Sequence, residues 1–170
     1  MGALHCIIYL GALGLLSHVV GEALPRRWFD EDKIPWRSAA WEKNGAIYQK
    51  LHIRAWQGKL PDKSRFVPGM LPKRLPADCD ATGVEKLIKE TCVAEAVHEA
   101  LIVSGMLCVA IWQGAGGVTM ALLFGVGNIP YVMIQRHNRP RLVRLQRWLA
   151  RRDAHMEEPT EEPTEGTTNR

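Results

Sequence analysis

The sequence predicts an all-α integral membrane protein of about three transmembrane helices, with interfacial helices in a long cytosolic loop and in the C-terminal segment. Three observations carry this. Residues 2–21 contain no Asp, Glu, Lys or Arg, and neither do residues 100–134. An uncharged apolar stretch of about 18 or more residues is a transmembrane candidate. The basic residues lie outside those stretches: fourteen of the 22 Lys and Arg fall between residues 22 and 91, and seven between Arg136 and Arg152. The mean hydropathy of -0.14 would suit a soluble chain, but it averages over blocks that are strongly apolar or strongly charged.

The first span is placed at residues 3–21. It has no basic n-region, and VGEALPRR is a poor cleavage site, so it is read as a retained helix rather than a signal peptide. Cys6 stands where a myristoylation motif needs Ser or Thr. The loop at 22–91 carries Trp28, Phe29, Trp36, Trp41, Tyr48, Trp56 and Phe66 among its basic residues, a mixture suited to lipid headgroups. A helix-turn pattern over residues 38–56 breaks at Gly45, and Pro61, Pro68, Pro72 and Pro76 make the next stretch irregular. Asp80 or Thr82, the latter with Glu85 as a capping box, opens a helix that runs on into the second span.

The second span is expected at 92–112. Ala100–Trp112 alone would supply about 20 Å of helix, against a hydrocarbon core of about 30 Å. The helix must therefore begin near Thr91 or Cys92 and carry Glu95, His98 and Glu99 into the membrane. Gln113–Gly117 turns without charge. The third span, 118–134, contains Asn128 and Pro130, and Pro130 should kink or break it. Residues 140–152 form a basic amphipathic helix suited to an anionic membrane surface. Residues 1–154 thus make one membrane domain, followed by a disordered acidic tail at 155–170. The positive-inside rule puts the N-terminus outside and both basic segments in the cytosol of a multi-pass cell-membrane protein.

Several function classes drop out. Cys6, Cys79, Cys92 and Cys108 show neither CxxC spacing nor a companion His pair, so neither a zinc site nor a disulfide framework is indicated. One His with one or two Glu is a thin metal set. The net charge of +4 comes with no nucleic-acid-binding motif.

The candidate chemistry sits at the inner leaflet. Glu95 and His98, at i and i+3, project from one helix face about 5–10 Å into the second span. Asn128 lies about 10 Å back from the cytosolic end of the third, which puts all three at one depth. Intramembrane ionisable groups are functional candidates. A carboxylate that orients an imidazole is an acid/base unit, or else a buried pair that only holds helices together. His5 and His18 are read as incidental, and Glu99 as a flank facing headgroups or loop. Gln135, Arg136, Asn138, Arg139 and Arg141 could bind phosphate or carboxylate groups, or could form a stop-transfer cluster.

The ordered set WEKNGAIYQKLHIRAWQGKLPD, ETCVAEAVHEAL and NIPYVMIQRHNRPRL resembles the glycosyl-4,4'-diaponeurosporenoate acyltransferase family over roughly residues 20–152. The most specific part is the AExxH element at Ala94, Glu95 and His98, with Asn128, Pro130, Gln135, Arg136, Asn138, Arg139, Pro140, Arg141 and Leu142. In that family an aromatic residue often follows the histidine, whereas Glu99 does here, and the acidic tail is additional. The resemblance implies transfer of a fatty acyl group from a cytosolic thioester, acyl-CoA or acyl carrier protein, to a sugar hydroxyl. The acceptor would be a membrane-embedded glycolipid or glycosylated carotenoid. Catalytic roles would fall to Glu95, His98 and Asn128, and substrate binding to Gln135, Arg136, Asn138, Arg139 and Arg141, with no cofactor. The alternative is a non-enzymatic protein that binds a membrane glycolipid or assists a neighbouring enzyme. An intramembrane hydrolase finds little support, because Ser104 lies about two turns further in. Three helices enclose little volume, which leaves room for a homodimer.

Overall fold

The computed structural model describes residues 1–60 and 80–157. The irregular stretch expected at Pro61, Pro68, Pro72 and Pro76, and the acidic run from residue 158 onward, lie outside them. The described residues are helical, without strands. Helix α1 (Gly2–Ala23) ends where Leu24 turns extended, the conformation that a following proline favours. Its open carbonyls are met by a side chain. Arg26 Nη1 donates to the carbonyls of Gly21 at 2.8 Å, Glu22 at 3.0 Å and Leu24 at 2.7 Å. The same guanidinium makes a two-point pair with Glu90, at 2.8 and 3.0 Å. One residue therefore caps α1 and ties it to the helix that carries Glu90.

The segment after α1 is a chain of short turns. A 3₁₀ turn at Ala40–Glu42 leads into α2 (Ala46–Lys50) and α3 (Ile53–Trp56). Lys43, Asn44 and Gly45 all have positive φ, at 49°, 53° and 85°, which reverses the chain sharply. Gly45 is favoured there by its φ, and it lies against the backbone of Arg136 and His137. A Cβ on it would come within 3.4 Å of the His137 carbonyl and 3.5 Å of the Arg136 carbonyl. That Arg136 carbonyl is the one Pro140 leaves without a helical donor.

Helix α4 (Ala81–Gly105) starts at Asp80, whose carboxylate accepts from the Gly83 amide at 2.8 Å. The cap is thus Asp80, not the Thr82 box, and Glu85 instead pairs with Lys89 one turn on. After a tightened turn at Met106 and Leu107, α5 (Cys108–Ile111) and a turn with Gly114 at φ 88° lead into α6 (Ala115–Glu157). Among the described residues, three stretches are long and apolar enough to cross a membrane: Gly2–Ala23, Ala81–Ile111 and Ala115–His155. Ile7, Ile8, Leu15, Leu16, Leu122, Leu123 and Val126 are exposed along them.

Pro130, expected to kink or break the third span, lies inside α6 without ending it, as does Pro140. A single proline forfeits one backbone bond, and packing against neighbouring helices outweighs that. Residues 140–152 are also not a separate surface helix. They continue α6, and Leu142, Val143, Leu145 and Leu149 pack on Val84 and Ile88 of α4. Most of the apolar face is covered by protein, while Trp148 stays exposed. The helix reaches Glu157, so the start of the expected disordered tail is ordered as well.

Helices α4 and α6 are antiparallel. At one end Leu149 meets Val84 and Ile88; at the other, Gly105 lies so close to Phe124 that a Cβ would approach its ring to 2.6 Å. Helix α1 packs on the apolar end, with Cys6 buried against Cys108 and the Tyr9 hydroxyl donating to the Ser104 carbonyl at 2.8 Å. The charged end is built from the short turns, α4 before Glu95 and α6 after Ile134.

Replacing Arg26 by Ala removes the cap and the tie in one step. Charge-assisted bonds of this kind contribute about 1.5–3 kcal/mol, so Arg26→Ala should lower the unfolding midpoint of detergent-purified protein clearly. Lys33→Ala, which removes an exposed pair with Asp30, should leave that midpoint nearly unchanged.

Candidate active site

Glu95 is fully buried on α4, and both of its oxygens face α6. Oε1 accepts from Arg136 Nε at 2.7 Å, and Oε2 accepts from Arg139 Nη2. Arg136 reaches further: Nη1 donates to Glu42 Oε1 at 2.9 Å and Nη2 to the Pro35 carbonyl at 2.9 Å. Arg139 donates to the Thr91 hydroxyl at 2.9 Å, the Thr91 carbonyl at 3.0 Å and the Trp36 carbonyl at 2.6 Å. Two carboxylates and two guanidiniums thereby alternate through the interior as Glu42–Arg136–Glu95–Arg139, with formal charges that cancel.

Glu42 is the member that sequence reasoning missed. It is 1% exposed although it lies in a short turn. Its Oε2 accepts from the Ala39 amide at 2.6 Å and the Ser38 hydroxyl at 3.3 Å, and Oε1 accepts from the Tyr48 hydroxyl. Burial pushes its carboxyl up. The bonds from Tyr48, Arg136 and Ala39 outweigh that and hold it below the usual carboxylate range. Tyr48 is pushed the other way, first by burial and then by its bond to Glu42. The one signal available was an acid directly before the Lys43–Asn44–Gly45 reversal.

His98 lies one turn beyond Glu95, toward the apolar end. Glu95, expected to orient it, has both oxygens accepting from guanidiniums. His98 Nδ1 instead faces Asn128 Oδ1 at 2.8 Å. Asn128 Nδ2 donates to the Phe124 carbonyl at 2.8 Å, so the amide presents its oxygen to the ring. An acceptor oxygen requires a proton on Nδ1, which puts the basic lone pair of the neutral imidazole on Nε2. Tyr131 stacks on the imidazole, with centroids 4.6 Å apart and planes 11° from parallel. Asn128 thus has one amide hydrogen committed to its own helix and its oxygen directed at the imidazole.

The other sequence candidates divide. Arg136 and Arg139 direct most of their N–H groups at protein acceptors. Gln135 and Asn138 are half-buried and, among the described residues, their amides make no hydrogen bond. Arg141 stands near two further cations, Arg54 and Arg144. Glu99 turns back toward Glu95 rather than outward. His137, 1% exposed, lies against the Gly45 backbone without a well-formed bond to either ring nitrogen. Among the described residues, no three His, Cys, Asp or Glu side chains gather as a metal set would. On the charged side of the lattice a cleft of about 500 Å³ opens between residues 31–44 and α6.

The elements that build this arrangement are also the ones shared with known proteins. The family model for glycosyl-4,4'-diaponeurosporenoate acyltransferase matches residues 25–147. The chain belongs to this family. It is similar to the proteins named glycosyl-4,4'-diaponeurosporenoate acyltransferase of Staphylococcus aureus strains N315 and MRSA252. Each is 29% identical over 153 residues, which cover 88% of this chain and 91% of the relative. No solved structure matches. The chain is therefore an acyltransferase by family, and the purely accessory alternative is set aside.

Breaking a buried pair strands a charge and costs about 3–5 kcal/mol. Glu42→Gln and Glu95→Gln should each destabilise on that scale in denaturant unfolding. Glu42 also gives the acid response a sign. Its folded carboxyl is depressed, so its stabilisation is present above the unfolded value of about 4 and is lost as pH falls through the folded one. The melting midpoint should hold between about pH 7 and 5 and drop below about 4, and Glu42→Gln should flatten part of that drop.

Proposed function

We propose that this acyltransferase moves a fatty acyl group from a cytosolic thioester to a sugar hydroxyl on a glycolipid or glycosylated carotenoid held in the membrane. The three apolar stretches would cross the cell membrane with the N-terminus outside. The charged end would then face the cytosol, where Lys and Arg favour lying. Acyl-CoA and acyl carrier protein are cytosolic, and the acceptor approaches from the bilayer. The observation that carries the reading is the His98–Asn128–Tyr131 arrangement at the boundary between these two environments.

The step runs as general-base catalysis. His98 Nε2 takes the proton of the acceptor hydroxyl, and that oxygen attacks the thioester carbonyl. The tetrahedral intermediate collapses, the C–S bond breaks, and the departing thiolate takes the proton back from the imidazolium. The products are an ester and a free thiol. Asn128 Oδ1 holds the Nδ1 proton throughout and fixes the ring, while Tyr131 limits its rotation. Glu95 acts at one remove, by positioning Arg136 and Arg139 between the turns and α6. As written, the chemistry needs no cofactor.

Purified protein given labelled acyl-CoA and a panel of membrane glycolipids should yield an acylated product by mass spectrometry. General-base groups contribute about 10²–10⁴-fold, so His98→Ala should lose that much kcat with little change in KM. Asn128→Leu should lower kcat and shift its pH profile, because the imidazole loses the partner that sets its tautomer. Full activity in His98→Ala would remove the general-base role. Failure of every thioester donor, carrier-protein-linked ones included, would remove acyl transfer from a thioester.

A further inference from the structure

The arginines expected to grip substrate, Arg136 and Arg139, direct most of their N–H groups at protein acceptors, and they line a cleft whose other cations lie outside the lattice. It is lined on one side by Arg144 and Arg147 of α6 and on the other by Glu31, Asp32 and Arg37, with Trp36 at its inner end. Among the described residues, no carboxylate or carbonyl accepts from the guanidiniums of Arg37, Arg144 or Arg147. The lattice behind them is neutral, so these three cations against Glu31 and Asp32 leave the cleft one positive charge in excess. The lining is also split: guanidiniums suit phosphate oxygens, and the two carboxylates suit groups that donate hydrogen bonds.

From this we infer that the cleft is a subsite for the phosphorylated nucleotide head of a CoA-type donor, with phosphates on Arg37, Arg144 and Arg147 and ribose or adenine donors on Glu31 and Asp32. This rests on the acyl-transfer reading for its purpose, though not for its test. Length supports it. From Tyr131, which stacks on His98, to Arg144 is thirteen residues of continuous helix, about 20 Å. An extended pantetheine arm is of about that length. Thirteen residues also carry Arg144 well round the axis from Tyr131, so the arm would have to follow the surface of α6 from the cleft to His98. A bare phosphate or a lipid headgroup would use the guanidiniums but leave the two carboxylates facing an anion without compensation.

The test is equilibrium binding of CoA itself, by calorimetry, to the full chain in nanodiscs of neutral phosphatidylcholine. A charge-assisted contact is worth roughly tenfold in affinity. Arg144→Gln and Arg147→Gln should therefore each weaken CoA by about tenfold. Arg152→Gln, which alters an exposed residue paired with Asp153, should not. Asp32→Asn should also weaken CoA if the carboxylates meet nucleotide donors, but should tighten it if the cleft only collects phosphate. Discs containing phosphatidylglycerol separate the sources: a lipid-headgroup site would be filled by that lipid and CoA would be displaced. Equal CoA affinity in Arg144→Gln, Arg147→Gln and the parent overturns the inference, as does displacement by phosphatidylglycerol or tightening in Asp32→Asn. Acyl transfer fails on different evidence, namely CoA that binds as described while no acyl-CoA is ever consumed.

Discussion

Glu95 is surrounded by protein, and an isolated carboxylate could not stay ionised there. It is held by two guanidiniums from α6, one of which is itself shared with Glu42. Each member justifies the burial of the next, so the lattice works as one unit. Removing water from four charges is costly, and an ion-pair network recovers that cost only when nearly every lone pair and proton is used. Here the carbonyls of Pro35, Trp36 and Thr91, the hydroxyls of Thr91 and Tyr48 and the Ala39 amide complete the set. Three distant stretches of chain are thereby placed together: the turns at 35–48, α4 at Thr91–Glu95 and α6 at Arg136–Arg139. Because the network is satisfied only in one arrangement, it fixes register between α4 and α6 more sharply than apolar packing could.

How much of this could be read from sequence depends on the range of the interaction. Uncharged runs mark α1 and the apolar parts of α4 and α6, because burying charge in hydrocarbon is prohibitive whatever the tertiary structure. Length arithmetic forces Glu95 and His98 inward, and it brings His98 and Asn128 to one level, where they are bonded. The partner of Glu95 was not legible. The i and i+3 spacing places His98 on the same helix face, but it says nothing of what arrives from α6. A guanidinium is charged at any working pH and donates in a planar fork, so it outcompetes an imidazole that must first be protonated. Glu42 was hidden for the same reason, since its burial depends on an arginine 94 residues away. The amphipathic stretch at 140–152 shows a different limit. Periodicity reveals an apolar face but not what covers it, and Val84 and Ile88 of α4 occupy the place assigned to lipid.

The lattice also frees the arginines' neighbours for other work. Arg136 and Arg139 lie where a substrate-binding cluster would be sought, and most of their donors are engaged in the fold. The same helix, carried on past Pro140 without a break, presents Arg144 and Arg147 to the cleft that Arg136 and Arg139 also line. Gly45 contributes to this continuity: it lets the Lys43–Asn44 reversal press on the turn of α6 that Pro140 opened, supporting the helix where it has lost a bond. Structure and recognition are thus separated along one helix by two turns.

The separation bears on His98. A lone carboxylate beside an imidazole would attract its proton by Coulomb force alone, and the ring's readiness to give and take protons would follow that charge. Glu95, one turn before His98, is already paired with Arg136 and Arg139. The hydrogen bond to Asn128 sets the Nδ1 side of the imidazole, and Tyr131 covers one ring face. A hydrogen bond to Nδ1 selects the tautomer without adding charge, which suits a group that must accept a proton from a hydroxyl and return it to a thiolate in the same turnover. In the proposed mechanism the carboxylate contributes through the arginines it holds, and the residue that orients the imidazole is the asparagine on the opposite helix.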